Sequence, residues 1–130
     1  MGLRPVYVAA QQRPAAIPAG YVQVSPCVPG MGEHWANPAT FHKGGTIYGT
    51  YQAKPVFSEI MVTQRDFASG KSWEDTLAPL PGYRIDHVDI EFMPHGHPGM
   101  TYAHYDIHGY YVSHARHRLF CRGASSQAAH

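Results

Sequence analysis

Hydrophobic and polar residues alternate along two stretches of the chain, 84–92 and 102–110. Side chains two positions apart share one face of a β-strand, so this alternation predicts two strands, joined by a loop rich in proline, glycine and histidine. The first strand has an apolar face and a polar face, and the polar face is expected to be solvated. The polar positions are His87, Asp89 and Glu91, and the apolar ones are Val88, Ile90 and Phe92.

Shorter apolar stretches predict three further strands, at 21–24, 46–51 and 56–63. The proline- and glycine-rich residues 25–38 are expected to form an irregular loop. Ser72 and Asp75 resemble a helix-capping box, and Ser113 can cap a second short helix. The predicted fold class is therefore mainly β (α+β), a small antiparallel sheet or barrel-like domain with one or two short helices.

Proline and alanine in residues 1–20 indicate an extended or disordered leader. A single β-rich domain is predicted over 21–121, followed by a disordered tail over 122–130. Edge strands in so small a domain favour pairing between copies, so a homo-oligomer is expected.

Composition limits the classes of partner. The chain has 130 residues, of which 44% are hydrophobic, and a formal net charge of +1. This balance gives no electrostatic case for nucleic acid, and no apolar run approaches the roughly 20 residues that insertion across a membrane requires. Cys27 and Cys121 are compatible either with one disulfide in an exported protein or with two thiols in a reducing compartment.

Ten histidines are the compositional outlier, and two of them, His104 and His108, flank Asp106 on one predicted strand face. Imidazole and carboxylate groups are ligands of divalent transition metals, zinc above all and otherwise iron, manganese, nickel or copper. Residues four apart on a regular strand are about 13 Å apart, however, so His104 and His108 cannot chelate one ion alone.

A metal site therefore needs ligands from elsewhere in the chain. The expected ligands are His34, Glu59, His97, His104 and His108, with His95 as a weaker addition. Glu59 and Asp106 are the candidates for a catalytic carboxylate if the site supports a reaction. The alternative for each of these groups is a buried hydrogen-bonded side chain or a solvated one. His42, His114, His117 and His130 are expected at the surface.

Four segments together resemble a family of small bacterial β-rich proteins of unknown function, often exported, that includes a Thermus stress-regulon protein. They are PCVPGMGEHWANP, TIYGTYQAKPVFSEIMV, LPGYRIDHVDIEFMPHGHPGM and HYDIHGYYVS, within residues 21–120. The resemblance implies a mostly β, self-associating protein and slightly favours a mature periplasmic or extracellular form over a cytoplasmic one. It supplies no reaction.

Two functions remain open from the sequence. One is a divalent-metal-binding domain with a histidine-lined pocket, which is an enzyme if a coordination position is open. The other is a non-enzymatic oligomeric stress, envelope or small-ligand-binding protein.

Overall fold

A computed structural model describes residues 12–96 and 100–123. Its centre is a six-stranded antiparallel sheet with the strand order β1-β2-β3-β4-β6-β5. The strands are β1 (Val22–Gln23), β2 (Glu33–Ala36), β3 (Ile47–Tyr51), β4 (Lys54–Thr63), β5 (His87–Met93) and β6 (His104–Tyr110). Two short helices, α1 (Gln64–Ala68) and α2 (His114–His117), accompany a 3-10 turn at Phe41–Lys43. The predicted fold class is confirmed.

The described part of the chain contains no helix that is long and apolar enough to cross a membrane. The predicted terminal segments lie mostly outside the described residues. Ile17, inside the predicted leader, is fully buried and packs with Trp35 and Leu80. Ile17 is therefore part of the hydrophobic core.

The first helix, α1, begins directly after β4. The Thr63 side chain caps α1 by accepting a hydrogen bond from the Asp66 N–H at 3.0 Å. The helix predicted from Ser72 is wrong, and Asp75 has a backbone φ of 55°, which a right-handed helix cannot accommodate. The prediction of a cap at Ser113 is confirmed, since its hydroxyl accepts from the Arg116 N–H at 3.1 Å.

The sheet is strongly curled around one face. The rings of His34 on β2 and His108 on β6 have centroids 6.1 Å apart. Strands β3 and β4 lie between them, and three strand spacings in a flat sheet would measure about 14 Å. The curvature therefore brings side chains of distant strands together.

Gly49 on β3 allows part of this close approach. A Cβ atom at Gly49 would lie 1.9 Å from the Phe57 ring, so the ring occupies the space of the missing side chain. His34 pairs with Gly49 from the other side and packs on the same ring, with centroids 5.0 Å apart. The absence of a β3 side chain here lets the His34 imidazole extend over β3 towards β4.

On β5 the apolar face is more exposed than the polar positions His87 and Asp89, contrary to the prediction of a solvated polar face. Val88, Ile90 and Phe92 are 47%, 63% and 43% exposed. His87 and Asp89 point to the curled side and are only 21% and 23% exposed, whereas Glu91 is exposed. The prediction of a solvated polar face is wrong for His87 and Asp89, because the sheet curls towards its histidine-bearing face.

A disulfide joins Cys27, in the loop after β1, to Cys121, in the turn after α2. The two cysteines are 94 positions apart in sequence. Next to this bond, the Gly30 N–H donates to the Phe120 carbonyl at 2.8 Å. The C-terminal segment is thereby held against the loop that precedes β2. A disulfide is compatible with an exported protein.

Candidate metal centre

Three strands each contribute one side chain of a metal-binding type to a cluster on the curled face of the sheet. They are β2 with His34, β4 with Glu59 and β6 with His108, which are 1%, 0% and 0% exposed. Glu59 and His108 are direct partners in the pairing of β4 with β6. His34 reaches Glu59 across the intervening strand at Gly49.

The ligand atoms of the three groups lie within 4.8 Å of one another. His34 Nε2 is 3.5 Å from Glu59 Oε1, and His108 Nε2 is 3.4 Å from Glu59 Oε2. Ligands bound at the usual zinc distances in a tetrahedron are about 3.4 Å apart. The observed spacing therefore suits a single ion bound by both imidazoles and the carboxylate.

Hydrogen bonds to Ser25 determine which nitrogen of His34 carries a proton. The Ser25 hydroxyl donates to the Pro26 carbonyl at 2.8 Å, so its oxygen acts as an acceptor towards His34. It accepts from the His34 backbone N–H at 3.0 Å and faces His34 Nδ1 at 2.9 Å. Nδ1 is therefore a protonated nitrogen, and in a neutral ring the lone pair would lie on Nε2, towards Glu59. Metal-binding histidines are oriented in this manner.

Aromatic rings surround the centre. Phe57 packs edge-on against His108, with centroids 4.7 Å apart, and Tyr110 stacks on His108 at 5.3 Å. Burial, followed by the nearby charges of Glu59 and other carboxylates, raises the pKa of Tyr110 far above its ordinary value. The phenol therefore stays protonated, and it donates to the Gly30 carbonyl at 3.4 Å.

His104 and Asp106 form a separate buried pair on the same face, and both side chains are 0% exposed. His104 Nδ1 faces the Tyr102 carbonyl at 2.8 Å, and Nε2 faces Asp106 Oδ1 at 2.9 Å. Both ring nitrogens of His104 are thus engaged in hydrogen bonds. The structure does not bring His104 into the group formed by His34, Glu59 and His108.

The remaining predicted ligands lie elsewhere. His95 is exposed in the turn after β5, and His97 lies outside the described residues. His117, expected at the surface, is only 4% exposed and lies in a second group with His87, Asp89 and His114. One signal in the sequence pointed to this group, the alternating polar positions of β5, but nothing in the local pattern indicated that α2 packs beside them.

A cavity of about 450 Å³ opens on another part of the sheet. It is lined in part by Met61 and Thr63 of β4, by Trp73 and by Tyr102. Its lining includes none of His34, Glu59 and His108. The cavity is therefore separate from the three-residue centre.

Comparisons with known proteins identify a structural neighbour and no activity. No family model matches the sequence, and no curated protein matches it. The fold is similar to the crystal structure of the hypothetical protein TTHB210 from Thermus thermophilus, with a TM-score of 0.59 and 28% sequence identity. The match covers 73% of this chain and 85% of the Thermus chain. This structural match is consistent with an uncharacterised Thermus-related domain.

Proposed function

We propose that the protein binds a divalent transition-metal ion, with zinc as the first candidate, through His34, Glu59 and His108. The observation that carries the proposal is the convergence of two imidazoles and a carboxylate from three strands within 4.8 Å. A cation there would offset the cost of burying the Glu59 charge and would link β2, β4 and β6 across the curl of the sheet.

The burial of all three groups favours a structural centre over a catalytic one. A catalytic metal keeps a coordination position that substrate or water can reach. Side chains that are 0–1% exposed offer no such access in this conformation. Glu59, a candidate catalytic carboxylate from the sequence, is thus proposed as a metal ligand. Asp106 is proposed to hold His104 in place.

Elemental analysis of untagged protein, purified without chelators, tests this proposal. We expect at least one equivalent of a transition metal that survives dialysis, and we expect a strong chelator to lower the melting temperature as it removes the metal. Metal well below one equivalent, together with a melting temperature unaffected by the chelator, would contradict the proposal.

A second candidate function is self-association through the apolar outer face of β5. Ile90 and Phe67 are 63% and 70% exposed, and both line an apolar groove with Tyr105 and Ile107. The groove adjoins β5, which is the last strand of the sheet, and an edge strand is a common site of pairing between copies.

Light scattering coupled to size-exclusion chromatography checks this candidate. We expect a defined oligomer for the wild-type protein and dissociation for Ile90→Lys, because the charge would be buried in the interface. Leu119→Lys is the matched control, since Leu119 is 54% exposed and lies outside this groove. A wild-type monomer at micromolar concentration would rule out this function.

The Cys27–Cys121 disulfide supports a third element of the proposal, location in an oxidising compartment. We infer an exported, periplasmic or extracellular protein. Cell fractionation combined with thiol labelling checks this: the protein should be found outside the cytoplasm with neither cysteine reactive towards the label.

A further inference from the structure

A second group of metal-binding side chains lies at the edge of the sheet, apart from the buried centre. His87 and Asp89 project from β5, and His114 and His117 lie one turn apart on α2. One ligand atom from each of the four lies within 4.8 Å of the others. Strand and helix therefore present three histidines and a carboxylate to one point.

Asp89 is the centre of this group. Its Oδ2 is 3.4 Å from His117 Nε2 and 3.8 Å from His114 Nδ1, and its Oδ1 is 3.6 Å from His87 Nε2. The His87 and His117 Nε2 atoms are 3.1 Å apart. These separations bracket the roughly 3.4 Å expected between ligands around a tetrahedral zinc ion.

Acceptor groups orient both inner histidines. His117 Nδ1 lies 2.8 Å from the Gly30 carbonyl, which can only accept, so Nδ1 is the donor. His87 Nδ1 lies 2.9 Å from the half-exposed Asp86 carboxylate, which likewise accepts. In the neutral rings, the lone pairs of both Nε2 atoms therefore point at each other and at Asp89. Two lone pairs at this distance repel unless a cation or a shared proton lies between them.

Aromatic stacking holds the two rings in this arrangement. His117 stacks on Tyr110 with centroids 3.6 Å apart and planes 7° apart, and His87 lies over the same tyrosine at 5.3 Å and 17°. The two imidazole planes are 19° from parallel as a result. The two side chains are therefore already ordered before an ion binds, so that binding would lose little of their conformational entropy.

We propose that His87, Asp89, His114 and His117 form a second divalent transition-metal site, open to solvent. A metal is favoured over a shared proton because four donor groups converge, and because both inner rings donate their outer N–H to a carbonyl or carboxylate, as metal-binding histidines do. The ligand set is three imidazoles and one carboxylate, which suits zinc, copper or nickel.

Exposure distinguishes this site from the buried centre. His114 is 59% exposed and Asp89 is 23% exposed, whereas His34, Glu59 and His108 are at most 1% exposed. The second site can therefore exchange its ion with solution. If His114 dissociates, a water molecule or small anion can take its position without unfolding the domain.

Isothermal titration of zinc into the metal-free full-length protein tests the second site. We expect two classes of site in the wild-type protein, the buried centre and the exchangeable, solvent-open site. Asp89→Asn, which preserves shape, should weaken the exchangeable class by more than the roughly 10- to 100-fold that loss of an outer-shell partner causes. Asp86→Ala keeps all four ligands and removes only an outer-shell partner, so it should weaken zinc binding at this site by about 10- to 100-fold.

The controls separate this site from the buried one. Glu91→Gln, an exposed carboxylate on the same strand, and His42→Ala, an exposed histidine outside both groups, should titrate like the wild-type protein. Glu59→Gln should lose the buried class and keep the exchangeable one. The proposal is overturned if folded Asp89→Asn and His114→Ala proteins bind zinc with wild-type stoichiometry and affinity.

Nitrogen-resolved NMR of the imidazoles gives a second readout. At saturating zinc, the Nε2 signals of His87 and His117 should shift as metal-bound nitrogens, and neither should carry a proton. A proton retained on either Nε2 at saturating zinc would show that the pair shares a proton instead, and it would overturn the assignment.

Discussion

Replacing Glu59 by glutamine is expected to abolish metal binding at the buried centre and, with it, the metal-dependent part of the stability. Glu59 is the common partner of His34 and His108, at 3.5 and 3.4 Å. A neutral amide keeps the shape but removes the negative charge that balances a divalent ion. Zinc at about 100 times its dissociation constant stabilises a protein by about 2.7 kcal/mol, which corresponds to roughly 10 °C in melting temperature for a domain of this size.

Thermal unfolding with and without zinc measures this effect. The wild-type melting temperature should rise on adding zinc, and most of that rise should be absent in Glu59→Gln. Any residual rise should come from the solvent-open site and should disappear in the Glu59→Gln, Asp89→Asn double variant. Glu91→Gln is the matched carboxylate control and should respond like the wild-type protein. An undiminished zinc response in folded Glu59→Gln would contradict the role assigned to Glu59.

Removing the Cys27–Cys121 disulfide is expected to lower the free energy of unfolding by about 2–4 kcal/mol. The bond closes a loop with a sequence separation of 94 residues, so it strongly limits the freedom of the unfolded chain. It also holds the Gly30 segment near α2, where the Gly30 carbonyl accepts from His117 Nδ1 at 2.8 Å. The Cys27→Ala, Cys121→Ala double variant should therefore also bind zinc more weakly at the solvent-open site.

Denaturant unfolding of this double variant, compared with the oxidised wild-type protein, provides the measurement. Reduced wild-type protein should lose a similar amount of stability, which controls for packing changes caused by the alanines. The buried centre should keep its zinc affinity in the folded double variant, since its three ligands lie on the sheet. Equal unfolding free energies for the oxidised and reduced wild-type proteins would contradict a stabilising disulfide.

The strands that carry period-two patterns could be predicted from the sequence. Residues 84–92 and 102–110 alternate, and the structure has β5 and β6 there, shifted by up to about three residues at their ends, the usual uncertainty of such boundaries. β2 could not be predicted in the same way, because all four of its residues are buried and alternation is lost. His34 therefore falls in the predicted loop 25–38, whereas the structure places it on β2.

The convergence of His34, Glu59 and His108 was only partly predictable. Strand spacing predicts that His104 and His108 cannot chelate one ion alone, and that ligands from distant parts of the chain are needed. The curl of the sheet, together with the missing side chain at Gly49, decides which residues meet. Neither follows from a local pattern. The second group was missed because the polar face of β5 is as compatible with a solvated surface as with a partly buried one.

We propose that His34, Glu59 and His108 bind one transition-metal ion. Anomalous X-ray diffraction at the zinc absorption edge, from crystals of the zinc-loaded full-length protein, tests it most directly. A peak within bonding distance of His34 Nε2, His108 Nε2 and a Glu59 carboxylate oxygen is the predicted result. The absence of a peak at that position in well-ordered, zinc-saturated crystals would contradict it.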